Sequence, residues 1–206
     1  MVAILTNLLN QHLKNKTRKV RFPRSYFYAS ESGLTPYEIY KKLSYPQTLS
    51  PKRKILMRFG SITHRRVYKI LREMGILKAA EVKVGDDLFR GFADAIIQLP
   101  GEEEMPLEIK TVSKKGFDGI LRRTMPTWKS YLQLQLYLHY LNMDSGRILF
   151  IETKTLEDYR MPLEEFMHDQ RMREFLIKKN PKIINQTLKK FSKLKEFFIK
   201  GGLMTK

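Results

Sequence analysis

The chain has 206 residues, enough for one substantial domain with a buried core. Its 39 Lys and Arg residues against 21 Asp and Glu residues give a formal charge of +18, which favours a polyanionic partner, nucleic acid before an anionic membrane surface. The absence of cysteine excludes disulfides, thiolate zinc sites and cysteine-ligated iron–sulfur clusters.

The N-terminal part of the sequence predicts helices. Residues 1–22 predict a short amphipathic helix that ends in a basic string before Pro23. Thr35-Pro36-Tyr37-Glu38 predicts a helix start, because a Thr cap, an early Pro and a following Glu satisfy free backbone donors. That helix is expected to run to about residue 43. After a predicted loop over 45–54, residues 55–74 carry apolar side chains at a helical period that stops at Gly75.

The middle of the sequence predicts strands. Residues 81–97 have a β-like pattern, and residues 105–112 predict a strand that pairs with them across the turn-rich stretch 99–104. A basic loop is expected between Val112 and Thr127.

Helices dominate the predicted C-terminal part. Residues 126–143 predict a helix that is apolar on nearly all sides and is therefore packed over a sheet, and residues 147–152 predict a short strand. Residues 162–200 predict one or two Lys-rich amphipathic helices interrupted by Pro181. Their apolar stripe comprises Ile183, Ile184, Leu188, Phe191, Leu194 and Phe197.

Two carboxylates and a lysine are predicted to meet on adjacent strands. Asp94 precedes Glu108 by fourteen residues, and Glu108 and Lys110 share one face of a strand because they lie two apart. Carboxylate-held Mg²⁺ supports phosphodiester hydrolysis, so Asp94 and Glu108 are candidate metal ligands, with the carbonyl of Ile109 completing the set. Lys110 is a candidate for positioning the attacking water. A solvated strand face is the alternative interpretation.

Three more polar side chains occupy helix positions that face the body of the protein. His64 lies four residues after Gly60 on the apolar side of its helix, as a metal ligand or as a hydrogen-bonded core histidine. Gln133 and Tyr137, four apart on an apolar helix, need partners if they are buried. Phosphate, Lys110 and neighbouring backbone are the alternatives.

Basic and aromatic side chains near these motifs are candidate DNA contacts. The segment 113–123 is either a mobile element that contacts phosphates or a solvated connector. Phe117 or Trp128 is available for base stacking, although both are also typical of a core. The candidate basic contacts are Lys114, Lys115, Arg122, Arg123 and Lys129.

The motifs, taken in order, resemble those of the RecB-like branch of the PD-(D/E)XK nuclease superfamily, which is related to CRISPR-associated adaptation nucleases and phage recombination exonucleases. The resemblance spans roughly residues 26–140 and rests on Gly60-x-x-x-His64, Gly91-x-x-Asp94, Glu108-Ile109-Lys110 and Gln133-x-x-x-Tyr137. It implies an α/β fold with a restriction-endonuclease-like core, a central mixed sheet flanked by helices, and N-terminal and C-terminal helical additions.

The resemblance also implies roles for individual residues. His64, Asp94 and Glu108 would bind a divalent metal, Lys110 would be the catalytic lysine, and Gln133 and Tyr137 would support the site and the DNA strand. The chain departs from many relatives because Thr35 stands where the first cysteine of an iron–sulfur cluster is expected. The early helix is then expected to pack on the C-terminal helices through apolar contacts. Glu81, where some relatives carry an acid, is a further candidate ligand.

The expected function is that of a Mg²⁺- or Mn²⁺-dependent deoxyribonuclease, an exonuclease acting on single-stranded or duplex DNA ends in recombination, repair or viral DNA processing. A structure-selective endonuclease and a catalytically silent nucleic-acid-binding module are the alternatives. We expect one nuclease domain over 1–206, with a helical arm (1–54), a catalytic core (55–152) and basic C-terminal helices (153–206).

The expected location and partners follow from the same features. No apolar run approaches the roughly 20 residues of a membrane-spanning helix, and no secretory signal is evident. The expected location is therefore cytoplasmic, in a cell or a virus-infected cell, without a membrane partner. A homo-oligomer or a recombination partner is compatible with the composition.

Overall fold

The structure, a computed structural model, describes residues 24–45, 49–152 and 171–205. The helix predicted for residues 1–22 lies outside the described residues. Within them the elements are β1 (Phe27–Tyr28), a short 3-10 helix (Ala29–Glu31), α1 (Pro36–Ser44), α2 (Pro51–Glu73), β2 (Leu77–Gly85), β3 (Phe89–Ile97), β4 (Met105–Val112), α3 (Lys114–Leu121), α4 (Trp128–Tyr140), β5 (Ser145–Glu152), β6 (Met172–Lys178) and α5 (Pro181–Lys200).

Capping side chains determine where the first two long helices begin. The predicted start of α1 is confirmed, because the hydroxyl of Thr35 accepts the N–H of Glu38 while the Glu38 carboxylate accepts the N–H of Thr35. Helix α2 begins four residues earlier than predicted, because Ser50 caps it by accepting the N–H of Arg53. Gly75, with φ of +74°, follows the end of α2 as predicted.

The segment 113–123 was wrongly predicted as a loop. Ser113 caps α3 by accepting the N–H of Gly116, and Phe117 and Ile120, three residues apart, bury one side of the helix. The two glycines lower helix propensity, but the cap and this apolar side outweigh them.

The all-helical prediction for residues 162–200 is wrong over 172–178, and its part over 162–170 lies outside the described residues. Residues 172–178 form strand β6, whose Phe175 and Ile177 alternate into the core. Pro181 occupies the first turn of α5, where its missing N–H costs nothing, and Asn180 caps the helix by accepting the N–H of Ile183. Proline therefore starts a helix here instead of interrupting one.

The six strands of the described residues form one mixed sheet, in the order β1-β3-β4-β5-β6 with β2 also paired to β3. Strand pairs β2–β3, β3–β4 and β5–β6 are antiparallel, whereas β1–β3 and β4–β5 are parallel. The predicted α/β architecture, a central mixed sheet flanked by helices, is confirmed at this level. Strand β6 extends the sheet, so the C-terminal part contributes more than helices.

Helices cover both faces of the sheet. On one side, Tyr68 of α2 belongs to a core cluster with Ile109 and Ile151. On the other side, Leu134 of α4 belongs to the larger cluster with Phe150. Because neighbouring strand residues point to opposite faces, Phe150 and Ile151 place α2 and α4 on opposite sides.

The early helix and the last helix share the larger core. Ile39 of α1 and Phe191 of α5, each 0% exposed, belong to the same cluster as Phe198. This arrangement agrees with the apolar packing predicted for the early helix. Phe197 was assigned wrongly to the apolar stripe, since it is 68% exposed and Phe198 is buried in its place. Across the described ranges, no helix has the length and apolarity needed to cross a membrane.

Candidate nuclease site

The two central strands separate at the predicted acidic residues. Strands β3 and β4 pair only where Ala95 to Ile97 face Met105 to Leu107. Just beyond this pairing, Oδ2 of Asp94 accepts the N–H of Ile109 at 2.7 Å, so a carboxylate takes the place of a strand carbonyl. The predicted hairpin is confirmed, and it brings Asp94 to the opening beside the strand that carries Glu108.

Helix α2 brings His64 to this opening from one face of the sheet. The Nδ1 atom of His64 lies 3.5 Å from Oδ1 of Asp94. One turn earlier, Gly60 has no side chain, so the helix can lie close to β4. A Cβ at this position would be only 3.3 Å from Oγ1 of Thr111. Burial lowers the pKa of His64, although the charge of Glu108 opposes this shift. The neutral imidazole is therefore favoured, which is the form that binds a metal.

Helix α4 brings Gln133 and Tyr137 to the opening from the other face. The Gln133 amide nitrogen donates to Oε1 of Glu108 and to the hydroxyl of Tyr137, each at 2.8 Å. Its oxygen accepts from Nζ of Lys110 at 3.0 Å. Among the predicted partners of Gln133, the structure thus shows Lys110, and it adds Glu108. A single amide orients both the carboxylate and the ammonium group.

Glu108 is the most enclosed member of the cluster, with 2% of the residue exposed. Its Oε1 lies 2.5 Å from Nζ of Lys110. Its Oε2 is buried and has no hydrogen-bond partner among the described residues. A buried acceptor without a donor is costly, so this oxygen is suited to a ligand that the polypeptide does not supply.

Burial changes the titration of both acids. It raises the pKa of Asp94 to about 6 and the pKa of Glu108 to about 7, although the positive charge of Lys110 opposes both shifts. Glu108 is therefore partly protonated at neutral pH, and Asp94 gains its proton at slightly acidic pH. A divalent cation would replace those protons, because a bound cation reverses the electrostatic cost of an ionised carboxylate.

The donor atoms at the opening fit a hard divalent cation. Carboxylate oxygens suit Mg²⁺ and Mn²⁺, and imidazole suits several divalent metals. Within the described ranges, no three His, Asp or Glu side chains already lie together as a metal-binding group. His64 contacts Asp94, whereas Glu108 interacts with both through charge, so cation binding requires further convergence of these side chains. Glu81, at φ of +52° on β2, adds negative charge near Asp94.

The predicted DNA contacts lie on α3, just after it and at the start of α4. An open groove of about 540 Å³ is lined by Lys114, Lys115 and Arg122, together with Asp118 and Gly119. Arg123 and Lys129 are also exposed. The stacking role considered for Phe117 is wrong, because this side chain is 1% exposed. Trp128 is 57% exposed and remains available.

Comparisons with known proteins bear on the fold. No protein-family model matches the chain, and no curated protein matches it. Among solved structures, the protein SSO0001 is 21% identical, with a TM-score of 0.53 over 93% of this chain and 86% of that chain. The alkaline exonuclease LHK-Exo from Laribacter hongkongensis is 11% identical, with a TM-score of 0.53 over 85% and 90%. The same enzyme in complex with dAMP is 14% identical, with a TM-score of 0.55 over 85% and 92%. The chain therefore shares its fold with solved exonuclease structures.

Proposed function

We propose that the protein is a divalent-metal-dependent deoxyribonuclease of the RecB-like PD-(D/E)XK type, and specifically an exonuclease acting on DNA ends. The observation that carries this proposal is the buried Glu108 carboxylate, with one oxygen unpartnered, beside Lys110 and the Asp94 opening. A purely structural carboxylate would be expected to have both oxygens satisfied. The fold shared with exonuclease structures, one of them crystallised with dAMP, supports the same proposal.

Each residue of the site has a role in this proposal. His64, Asp94, Glu108 and the carbonyl of Ile109 would hold Mg²⁺ or Mn²⁺. When bound, the cation supplies charge neutralisation and lowers the pKa of water. Lys110, whose side chain is 30% exposed, orients the attacking water and offsets the negative charge that develops on the phosphate.

Two residues position the catalytic groups. Gln133 holds Glu108 and Lys110 through direct hydrogen bonds, and Tyr137 holds Gln133. Gly91 has no side chain and so leaves room for Tyr137. A Cβ on Gly91 would lie only 3.3 Å from the Tyr137 hydroxyl. The groove on α3, which follows β4 after one residue, would receive the DNA backbone through its lysines and arginine.

The proposal is tested with linear, circular, single-stranded and duplex DNA, labelled at either end, in magnesium, manganese or chelator. We expect cation-dependent release of nucleotides from linear ends, with circular DNA left intact. Cleavage of circular DNA would instead identify an endonuclease. Absence of cleavage on every substrate would leave a nucleic-acid-binding module.

Substitutions test the assignment of residues. Asp94→Asn and Lys110→Ala proteins should bind DNA but cleave it at least about 100-fold more slowly. Lys178→Ala is a matched control, since this exposed lysine lies on β6, two strands from β4 in the sheet. Cleavage by both site variants at the parent rate would show that the site is elsewhere.

A further inference from the structure

The first turn of α4 presents basic and aromatic side chains beside the proposed active site. Lys129, Gln133 and Tyr137 follow one another at intervals of four residues, so they lie along one side of the helix. A rise of 1.5 Å per residue places Lys129 about 6 Å along the axis from Gln133. Lys129 therefore extends the line of polar groups away from Lys110 and toward the start of the helix.

Lys129 lies near two other lysines and two glutamates. Partial desolvation lowers the pKa of Lys129, the charges of Lys42 and Lys110 lower it further, and the charges of Glu31 and Glu38 oppose the shift. The backbone at Gly33 lies directly against the first turn of α4. A Cβ added to Gly33 would come within 2.7 Å of the Cα of Lys129. Lys42 is paired with Glu31 and Lys110 with Glu108, so Lys129 is the ammonium group through which this turn would bind an anion.

A cleft opens beside the same turn. It has a volume of about 170 Å³ and lies between α4, the segment after the 3-10 helix and α5. Ser32 is 1% exposed, and its hydroxyl has no hydrogen-bond partner among the described residues. The cleft is lined by the apolar side chains of Trp128, Leu132 and Ile183 and by the polar side chains of Ser32, Gln186 and Lys190.

Trp128 offers a flat surface at this cleft. The indole stacks on Tyr131 with ring centroids 5.4 Å apart and planes 18° apart, while the residue remains 57% exposed. Tyr131 thus supports the indole from within the same helix. An exposed aromatic ring next to basic side chains is the combination that binds single-stranded nucleic acid through stacking and phosphate contacts.

We propose that the start of α4 is a subsite for the nucleotide next to the one that is cleaved, in which Lys129 binds the phosphate, Trp128 stacks on the base and Ser32 hydrogen-bonds to it. This inference rests on the proposed nuclease function. A base inserted into the cleft cannot keep its Watson–Crick partner. The substrate class is therefore single-stranded DNA or duplex DNA with an unpaired end.

The test uses the fluorescence of Trp128, which is the single tryptophan of the chain. The full-length protein is titrated in chelator with a labelled single-stranded oligonucleotide, and binding is followed in parallel by anisotropy. We expect saturable quenching of the tryptophan emission, whereas an abasic oligonucleotide of the same length should bind without quenching it. Binding of the normal oligonucleotide without quenching would overturn the subsite, as would equal quenching by the abasic one.

Variants separate stacking from general basic attraction. Trp128→Ala should weaken binding of the normal oligonucleotide about tenfold and leave binding of the abasic one unchanged. Lys129→Ala should weaken binding of both. Phe197→Ala is the matched aromatic control, since this exposed side chain lies near the far end of α5. Parent-like affinity of the Trp128→Ala protein for the normal oligonucleotide would contradict the proposal.

Ser32→Ala distinguishes a binding role from a structural one. It removes a buried hydroxyl without a partner, so the thermal stability of the protein should not fall. Affinity for the normal oligonucleotide should fall about threefold or more, and unchanged affinity would remove Ser32 from the subsite. The two proposals can be told apart: cleavage without quenching overturns only the subsite, whereas quenching without cleavage overturns the nuclease and leaves a single-strand binding site at α4.

Discussion

The two oxygens of the Glu108 carboxylate have very different surroundings. Oε1 is approached by both Lys110 and Gln133, whereas Oε2 is buried alone among the described residues. Without a ligand, this asymmetry disfavours the ionised form of Glu108, because its buried Oε2 loses its hydration and gains no hydrogen bond in exchange. A proton and a cation both relieve that cost, so they compete for the same group.

We expect Mg²⁺ to stabilise the protein more at alkaline than at acid pH. Burial raises the pKa of Asp94 to about 6 and of Glu108 to about 7, whereas the same carboxyls in the unfolded chain have pKa values of about 4. Between those values the folded chain holds protons that the unfolded chain has lost, so the contribution of these acids to stability falls as pH rises from about 4 to about 7. Mg²⁺ binds the deprotonated acids, and the rise in melting temperature that it causes should be larger at about pH 8 than at about pH 5.5.

Thermal unfolding with and without Mg²⁺ checks this expectation. Asp94→Asn should reduce the rise in melting temperature, while the matched variant Asp118→Asn, which changes an acid paired with Arg171 on the surface, should retain it. A rise of equal size at both pH values would contradict the assignment of the cation to these carboxylates.

Residue spacing predicted which side chains meet, but not how they bond. Glu108 and Lys110 share a strand face, and His64 and Gln133 face inward, so their approach followed from periodicity. The bond between Gln133 and Glu108 was not predicted, because a buried amide has several possible partners. The unpartnered oxygen of Glu108 depends on packing from two helices, which no local pattern contains.

Among the elements, α4 connects two different parts of the molecule through two glutamines. Gln133 binds Glu108 and Lys110 in the candidate site. Gln135, two residues later, donates to the carbonyl of Lys178 and accepts the N–H of Asn180. It therefore fixes the junction between β6 and α5. Both side chains are buried, so they provide a matched pair for substitution.

We expect Gln133→Ala and Gln135→Ala to have similar effects on stability and different effects on activity. Each removes buried hydrogen bonds, and each should lower the free energy of unfolding by about 1–3 kcal/mol. Only Gln133→Ala releases Glu108 and Lys110, so only this variant should lower kcat by about 10- to 100-fold per folded molecule. Chemical denaturation and single-turnover cleavage measure the two effects. An equal loss of kcat in both variants would show that Gln133 acts only through stability.

The elements that were predicted wrongly have weak local signals. Strand β6 has seven residues, and its Arg, Glu and Lys side chains also favour helix, so pairing with β5 decides its structure. Helix α3 carries two glycines in eight residues, which favours a loop until Ser113 and Phe117 are taken into account. By contrast, α1 has a strong cap and α4 has a long apolar pattern, and the positions of both helices were predicted closely.

On the scale of the whole molecule, many acidic side chains are already paired with basic ones. Glu31 is 3% exposed and binds both Arg24 and Lys42. Arg147 joins Glu102 before β4 to Glu174 on β6. The 39 Lys and Arg residues outnumber the 21 Asp and Glu residues, so pairing cannot neutralise the surface and a formal charge of +18 remains. Such a surface attracts polyanions over distances set by the ionic strength.

We expect DNA affinity, measured in chelator by anisotropy, to fall steeply with salt. A double substitution, Lys114→Gln with Lys115→Gln, should remove two phosphate contacts and reduce the slope of log K against log salt by about 1.4 to 1.8. Lys178→Gln, on the edge strand, should leave the slope unchanged. A slope that is the same in all three proteins would place the phosphate contacts away from α3.

The separation of β3 and β4 also links the shape of the backbone to the state of one side chain. The amide of Ile109 is held by the carboxylate of Asp94, so this part of β4 is tied to a rotatable group on β3. If that carboxylate moved toward a bound ion, the hydrogen bond would shift the part of β4 that carries Glu108 and Lys110. In the proposed enzyme, binding of an ion would therefore be coupled to the alignment of Lys110 through this hydrogen bond.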